Sequence, residues 1–178
     1  MANLHDFYQN ASSYTHIYGL DGDMVLRTVG SKTYLYLGMR RGGSNYYVFD
    51  VTSKTSPKLV FAIRGGTTGL EKMGQTWSRP TITKVKIGST EKNVMIVGGG
   101  YADGHDTKLT RDPDGFGNAV YMFDADTGAL LWHASNSDAN LNIAEMQYSI
   151  PSRISVIDRD NDGYADHMYV SDMGGQLF

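Results

Sequence analysis

This chain repeats itself, and that constrains its fold more than any other feature. Trp77-Ser78-Arg79-Pro80 returns as Tyr148-Ser149-Ile150-Pro151, ~71 residues further on. Asp50 followed by Phe61 returns as Asp124 followed by Trp132. Met95-Ile96-Val97 with Gly99-Gly100 returns as Met168-Tyr169-Val170 with Gly174-Gly175. Three separate landmarks agree in spacing to within about four residues, which chance does not readily give. Tyr34-Leu35-Tyr36-Leu37-Gly38 with Gly42-Gly43 reads as a further copy, ~60 residues before the second. A unit that cannot bury its apolar face alone must stack on its neighbours.

Within each unit the residues alternate between apolar and polar. Strands are expected at 33–38, 45–50, 58–63, 81–87, 93–97, 119–123, 129–133, 154–157 and 167–170. Gly42-Gly43, Gly65-Gly66, Asp103-Gly104, Asp114-Gly115 and Asp162-Gly163 supply turn chemistry between them. The best helical stretch, 140–146, is short and uncapped, so it is not counted as an element. With 21 Gly, 12 Tyr and 4 Pro, the composition also suits short strands and tight turns. The class is all-β.

A unit of about four strands is the pattern of a β-propeller blade, here with extended loops. About two and a half units fit in the chain, whereas propellers close with roughly four to eight blades. The expectation is a partial β-propeller, two to three blades of a larger one, with sheet faces left for absent neighbours. A small β-sandwich of accidental periodicity is the alternative. Residues 1–16 read as an N-terminal extension or the edge of a preceding blade, and 17–178 as the propeller segment.

Composition removes several function classes. Hydrophobic residues at 40% and charged residues at 20% suffice for a packed core, so wholesale disorder is excluded. With 16 Lys+Arg against 19 Asp+Glu, there is no basic excess to attract a nucleic-acid backbone. The absence of Cys removes disulfides, thiolate metal sites and cysteine nucleophiles, without fixing the compartment. No apolar run approaches the ~18 residues of a membrane helix. The first residues show no signal-peptide pattern, so the chain is either cytoplasmic or an internal piece of a longer protein.

The most specific signal is Asp158-Arg159-Asp160-Asn161-Asp162-Gly163-Tyr164-Ala165-Asp166. Ca²⁺ is a hard cation that takes six to eight oxygens at about 2.3–2.6 Å. A coiling loop turns alternate side chains inward, so Asp158, Asp160 and Asp162 can converge. Gly163 permits the sharp turn that presents the Tyr164 carbonyl. Asp166 then closes the shell, with two oxygens if it grips in bidentate fashion. Tyr169 stands where an EF-hand has its bidentate Glu, and the flanks read as strands, so a strand–loop–strand site is expected. Mg²⁺ suits it less, because it prefers a smaller octahedral shell and keeps its waters. The corresponding hairpins of the other units, around Gly30-Ser31 and Gly88-Ser89, are ordinary turns. The acidic loop is therefore not demanded by the repeat.

Other candidates read as structural. Asp103, Asp106, Asp112 and Asp114 share a loop but match no ligand spacing. His5, His16, His105, His133 and His167 form no pair at metal-binding spacing. Gly98-Gly99-Gly100 lacks the Lys-Ser/Thr of a phosphate loop. Arg40-Arg41-Gly42-Gly43 reads as a turn and not an RNA contact.

Several stretches together resemble one family in collinear order, from about Ile17 to Phe178. They are Leu37-Gly38-Met39-Arg40-Arg41-Gly42-Gly43-Ser44-Asn45-Tyr46-Tyr47-Val48-Phe49-Asp50, Gly74-Gln75-Thr76-Trp77-Ser78-Arg79-Pro80, and Tyr121-Met122-Phe123-Asp124-Ala125-Asp126-Thr127-Gly128. Gly98-Gly99-Gly100-Tyr101, Ala129-Leu130-Leu131-Trp132, Tyr148-Ser149-Ile150-Pro151, the acidic loop and Tyr169-Val170-Ser171-Asp172-Met173-Gly174-Gly175-Gln176-Leu177 complete the set. The pattern resembles the C-terminal propeller of the PilY1/PilC family, type IV pilus tip-associated adhesins and biogenesis factors. The resemblance implies a modified, roughly seven-bladed propeller in a long exported protein at the pilus tip, cell surface or periplasm. It implies a calcium loop with ligands at Asp158, Asp160, Asp162, Tyr164 (carbonyl) and Asp166. It also implies pilins or minor pilins as partners, and a link between calcium occupancy and pilus extension or retraction, twitching motility and surface attachment. The family's adhesive N-terminal region has no counterpart here. The activity so implied is not enzymatic. Two alternatives stand beside it. Residues 124–132 also resemble the tryptophan-docking motif of quinone-cofactor (PQQ) dehydrogenase propellers, which typically carry adjacent cysteines that this chain lacks. A generic protein- or glycan-docking propeller is the other.

Overall fold

Alternating sequence becomes paired strand along the chain. The computed structural model describes residues 18–107 and 110–178, so the expected extension at 1–16, with His5 and His16, lies outside the described residues. The strands are β1 (Met24–Val29), β2 (Lys32–Gly38), β3 (Asn45–Asp50), β4 (Lys58–Arg64), β5 (Thr81–Ile87), β6 (Thr90–Gly98), β7 (Ala119–Asp124), β8 (Leu130–Ser135), β9 (Leu141–Asn142), β10 (Ser155–Ile157) and β11 (His167–Tyr169). One 3-10 turn spans Asp103–Asp106, and no α-helix occurs among the described residues. The all-β reading is borne out.

Two strands were not foreseen. β1 pairs with β2 along its whole length, from Met24 opposite Leu37 to Val29 opposite Lys32. β9 falls inside the weighed helical stretch 140–146 and instead runs parallel to β8, with Leu141 opposite Ala134. The asparagines explain the departure from helix. Asn140 Oδ1 accepts the His133 N–H at 3.0 Å, and Asn142 Oδ1 accepts the Ala139 N–H at 3.0 Å. Side-chain amides that capture backbone donors compete with the helical ladder.

The repeat is visible in the topology. One sheet runs β1-β2-β3-β4 and the next β5-β6-β7-β8, extended by β9 at its edge. Both carry a register shift between their third and fourth strands, at Val48/Phe49 and at Met122/Phe123. Both begin with a tight hairpin in which glycine has positive φ, Gly30 at 58° and Gly88 at 63°. The third unit contributes the hairpin β10–β11, whose connection is the acidic loop.

Alternation decides which core each side chain enters. On β6, Met95 and Val97 pack with Tyr36, Tyr46, Val48 and Ile63 of the first sheet. Their neighbours Val94 and Ile96 point the other way, into a cluster with Ile150, Ile154 and Val170. The middle sheet is therefore buried on both faces. Glycines let the units approach at their seams. A Cβ on Gly98 would lie 2.3 Å from the Ile150 carbonyl oxygen, and one on Gly100 2.2 Å from that of Gln75. The Gly98–Gly100 run is thus a packing seam: the Gly100 N–H donates to the Ile150 carbonyl at 3.0 Å.

Candidate metal centre

The acidic loop connects β10 to β11, with Ile157 opposite His167 at its base. The Asp166 N–H donates to the Ile157 carbonyl at 3.0 Å, which closes the neck. Inside, carboxylates capture backbone donors. Asp158 accepts from the Gly163 N–H at 2.8 Å and from the Asp162 N–H at 3.2 Å. Asp160 also accepts from the Asp162 N–H at 3.2 Å, and Asp166 from the Arg159 N–H at 2.9 Å. Asn161 at φ 60° and Gly163 at φ 90° supply the left-handed bends that coil the chain.

This coil brings Asp158, Asp160 and Asp166 together, with one carboxylate oxygen from each within 4.8 Å of the others. The group could hold a metal ion. Three carboxylates at such separation repel unless a cation or donors offset them. An all-oxygen donor set matches a hard cation such as Ca²⁺ and not a thiophilic metal.

Asp162 and Tyr164 stand differently. Asp162 Oδ2 accepts from Lys86 Nζ at 2.7 Å, and Oδ1 accepts from the Tyr164 N–H at 2.9 Å. That pairing, first with Lys86 and then with the Tyr164 amide, holds the Asp162 carboxyl below its ordinary range. Lys86 also lies 4.1 Å from the Tyr164 ring centre. The Tyr164 hydroxyl donates to Glu91, which pushes its own pKa up. The Ala165 N–H donates to the Lys84 carbonyl at 2.8 Å.

The loop is thus clasped to the β5–β6 hairpin of the preceding unit. Lys86 and Glu91 escaped the sequence reading because they lie more than 70 residues away in the chain. The repeat held the only hint. It makes β5–β6 the counterpart of β10–β11, and stacking sets counterparts side by side.

Several of the remaining candidates have structural partners. Asp106 pairs with Arg41 and accepts from the Tyr101 hydroxyl at 2.7 Å. Asp114 accepts from the Ser149 N–H at 2.7 Å and faces His105. His133 bonds to Asn140, and His167 stacks on Tyr169. Arg40 lies over the Trp77 ring, 4.2 Å from its centre. Among the described residues, the 158–160–166 group is where ligand-type side chains converge.

No protein-family model matches the chain. Among curated proteins it is similar to the type IV pilus biogenesis factor PilY1 from two strains of Pseudomonas aeruginosa. Identity is 26% over 149 residues, covering 82% of this chain and 11% of either relative. The chain therefore spans about a tenth of the length of those relatives. Among solved structures it is similar to the crystal structure of the P. aeruginosa PilY1 C-terminal domain. The TM-score is 0.60 at 21% identity, over 87% of this chain and 28% of that one. That likeness shows a shared fold. The PilY1 resemblance read from the sequence is borne out by both findings.

Proposed function

We propose that this chain is a calcium-binding propeller segment of a type IV pilus biogenesis and tip-associated protein, acting outside the cytoplasm and without catalysis. The observation that carries the reading is the convergence of Asp158, Asp160 and Asp166 in a loop with the sequence spacing of a calcium site. The two sheets and the third hairpin stand for successive blades. The ion would take Asp158, Asp160 and Asp166, with Asp162 and the Tyr164 carbonyl completing the shell. Binding would relieve the repulsion among the carboxylates and stiffen the hairpin. Because the loop is clasped to the neighbouring unit through Lys86, Tyr164 and Glu91, stiffening it also fixes how two units sit together. That is a physical route from ion occupancy to pilus extension or retraction, with pilins or minor pilins as partners.

The test is calorimetry with Ca²⁺ and with Mg²⁺ on the wild type and on Asp158→Ala. Selective Ca²⁺ binding is expected, weakened at least ~10-fold in the variant, which is ~1.4 kcal/mol. Equal binding by both proteins removes the site assignment.

A further inference from the structure

A cationic cleft opens between the first strands of the two large sheets, on different residues from the acidic loop. Its volume is about 340 Å³, and Arg27, Arg79, Lys84 and Arg153 line it together with Thr81 and Asn93. Among the described residues, no carboxylate lines it. The cations come from three successive units: Arg27 from β1, Arg79 and Lys84 from the approach to β5 and from β5 itself, and Arg153 from the approach to β10.

Among the described residues, one of the four is neutralised. Arg27 pairs with Asp126 at 2.6 Å. Among the described residues, no carboxylate forms an ion pair with Arg79, Lys84 or Arg153. Arg153 is nonetheless held in place. Its Nε donates to Thr81 Oγ1 at 3.2 Å, and the Thr81 hydroxyl donates to the Ile154 carbonyl at 3.1 Å. Arg153 is exposed, and among the described residues its two terminal guanidinium nitrogens have no hydrogen-bond partner. The fold does not demand these charges. The repeat counterpart of Arg79 is Ile150, and that of Arg153 is Ile82, both apolar.

Three exposed, unpaired cations around one cleft give it a local positive potential in a chain of net charge −3, which attracts an anion. Two guanidinium forks add geometric preference for planar or tetrahedral oxyanions, which they grip in bidentate fashion. We propose that this cleft binds a small polyanion through its phosphate or carboxylate oxygens. Arg79 and Arg153 grip the oxygens, and Lys84 supplies a point charge.

The test is titration of the whole chain, in calcium-free buffer, with pyrophosphate and separately with citrate, followed by calorimetry or amide chemical shifts. Saturable binding of at least one anion is expected, weakening as salt is added. Arg79→Gln and Arg153→Gln should each weaken it at least ~10-fold. Lys58→Gln, at the exposed start of β4, should not change it. Lys84→Gln serves as the third variant if either arginine variant fails to fold. Pyrophosphate alone would identify a phosphate ligand, and citrate alone a carboxylate one. Absence of saturable binding by both anions overturns the proposal, as does an effect no larger than that of Lys58→Gln.

Discussion

Lys86 and Asp162 form an ion pair at 2.7 Å that joins the candidate calcium loop to the hairpin of the preceding unit. Lysine here occupies a carboxylate that the loop's spacing assigns to the ion. Asp162 stands apart from the convergent Asp158, Asp160 and Asp166, with one oxygen given to Lys86 and the other to the Tyr164 N–H, so an ion that takes it competes with Lys86. The ammonium group is thus a tethered competitor. Lys86→Met should tighten Ca²⁺ binding, by about threefold to tenfold, because the pair is exposed and partly screened. Calorimetry on the two proteins checks this. Unchanged Ca²⁺ affinity would show that Asp162 is not a ligand or that its pairing costs nothing to break. Loss of binding in the wild type itself would instead count against the site.

Gly128 carries the seam between the first two sheets. Its φ is +77°, and a Cβ there would lie 2.5 Å from Cδ2 of the Phe61 ring. Gly128→Ala therefore combines an unfavourable backbone with overpacking, and should destabilise the fold by about 1–3 kcal/mol. Adding Phe61→Leu should recover part of that loss, since it relieves the clash but not the φ strain. Urea denaturation of both variants gives the comparison. A single variant as stable as wild type would mean the two sheets can separate at this seam without cost.

What the sequence revealed depended on whether a feature was local or had a repeat counterpart. β3 lies where alternation puts it, because Tyr46 and Val48 on one face enter a core, and β5 does so because Val85 enters the other core while Lys84 and Lys86 beside it stay exposed. β1 was missed: its Met24 and Leu26 are exposed at 67% and 64%, so its pattern carries no clean inside and outside. The helical stretch at 140–146 yielded to side-chain amides that alternation does not register. At the candidate centre, the spacing of the aspartates was local and legible. The clasp by Lys86 and Glu91 was not, because it depends on how neighbouring units pack.

Ser78 and Ser149 show the repeat working at the level of single atoms. Each is fully buried, and each accepts a backbone N–H through its hydroxyl oxygen, from Gly98 at 2.9 Å and from Ala102 at 3.1 Å. The Ser78 hydroxyl also donates to the Ser152 carbonyl at 2.8 Å, tying the second unit to the third. Ser78→Ala leaves a buried donor and an acceptor without this partner, and should cost about 2 kcal/mol or more. Ser152→Ala is the control: it keeps the accepting carbonyl and should cost less than ~1 kcal/mol. Thermal unfolding of both resolves the difference, and similar melting temperatures would deny Ser78 this stitching role.

Asp124 makes acid stability a test of the turn that follows β7. Burial alone would raise its pKa. The Asp126 and Thr127 amide N–H groups, each donating at 3.0 Å, and the Lys92 ammonium outweigh burial and lower it. Asp50, in the equivalent turn of the first sheet, is lowered as well, by Thr52. A carboxyl whose folded pKa lies below its unfolded value contributes stability above the unfolded pKa of about 3.9. That contribution is lost as pH falls through the folded value, because the unfolded chain binds the proton first. The wild type should therefore lose stability steadily on acidification below about pH 5. Asp124→Asn removes one titrating group, so its stability, lower at neutral pH, should fall less steeply over the same interval. Urea midpoints measured at several pH values give the two slopes. Parallel curves for the two proteins would mean that Asp124 takes up its proton equally well folded and unfolded, and that the turn's amides do not hold its charge.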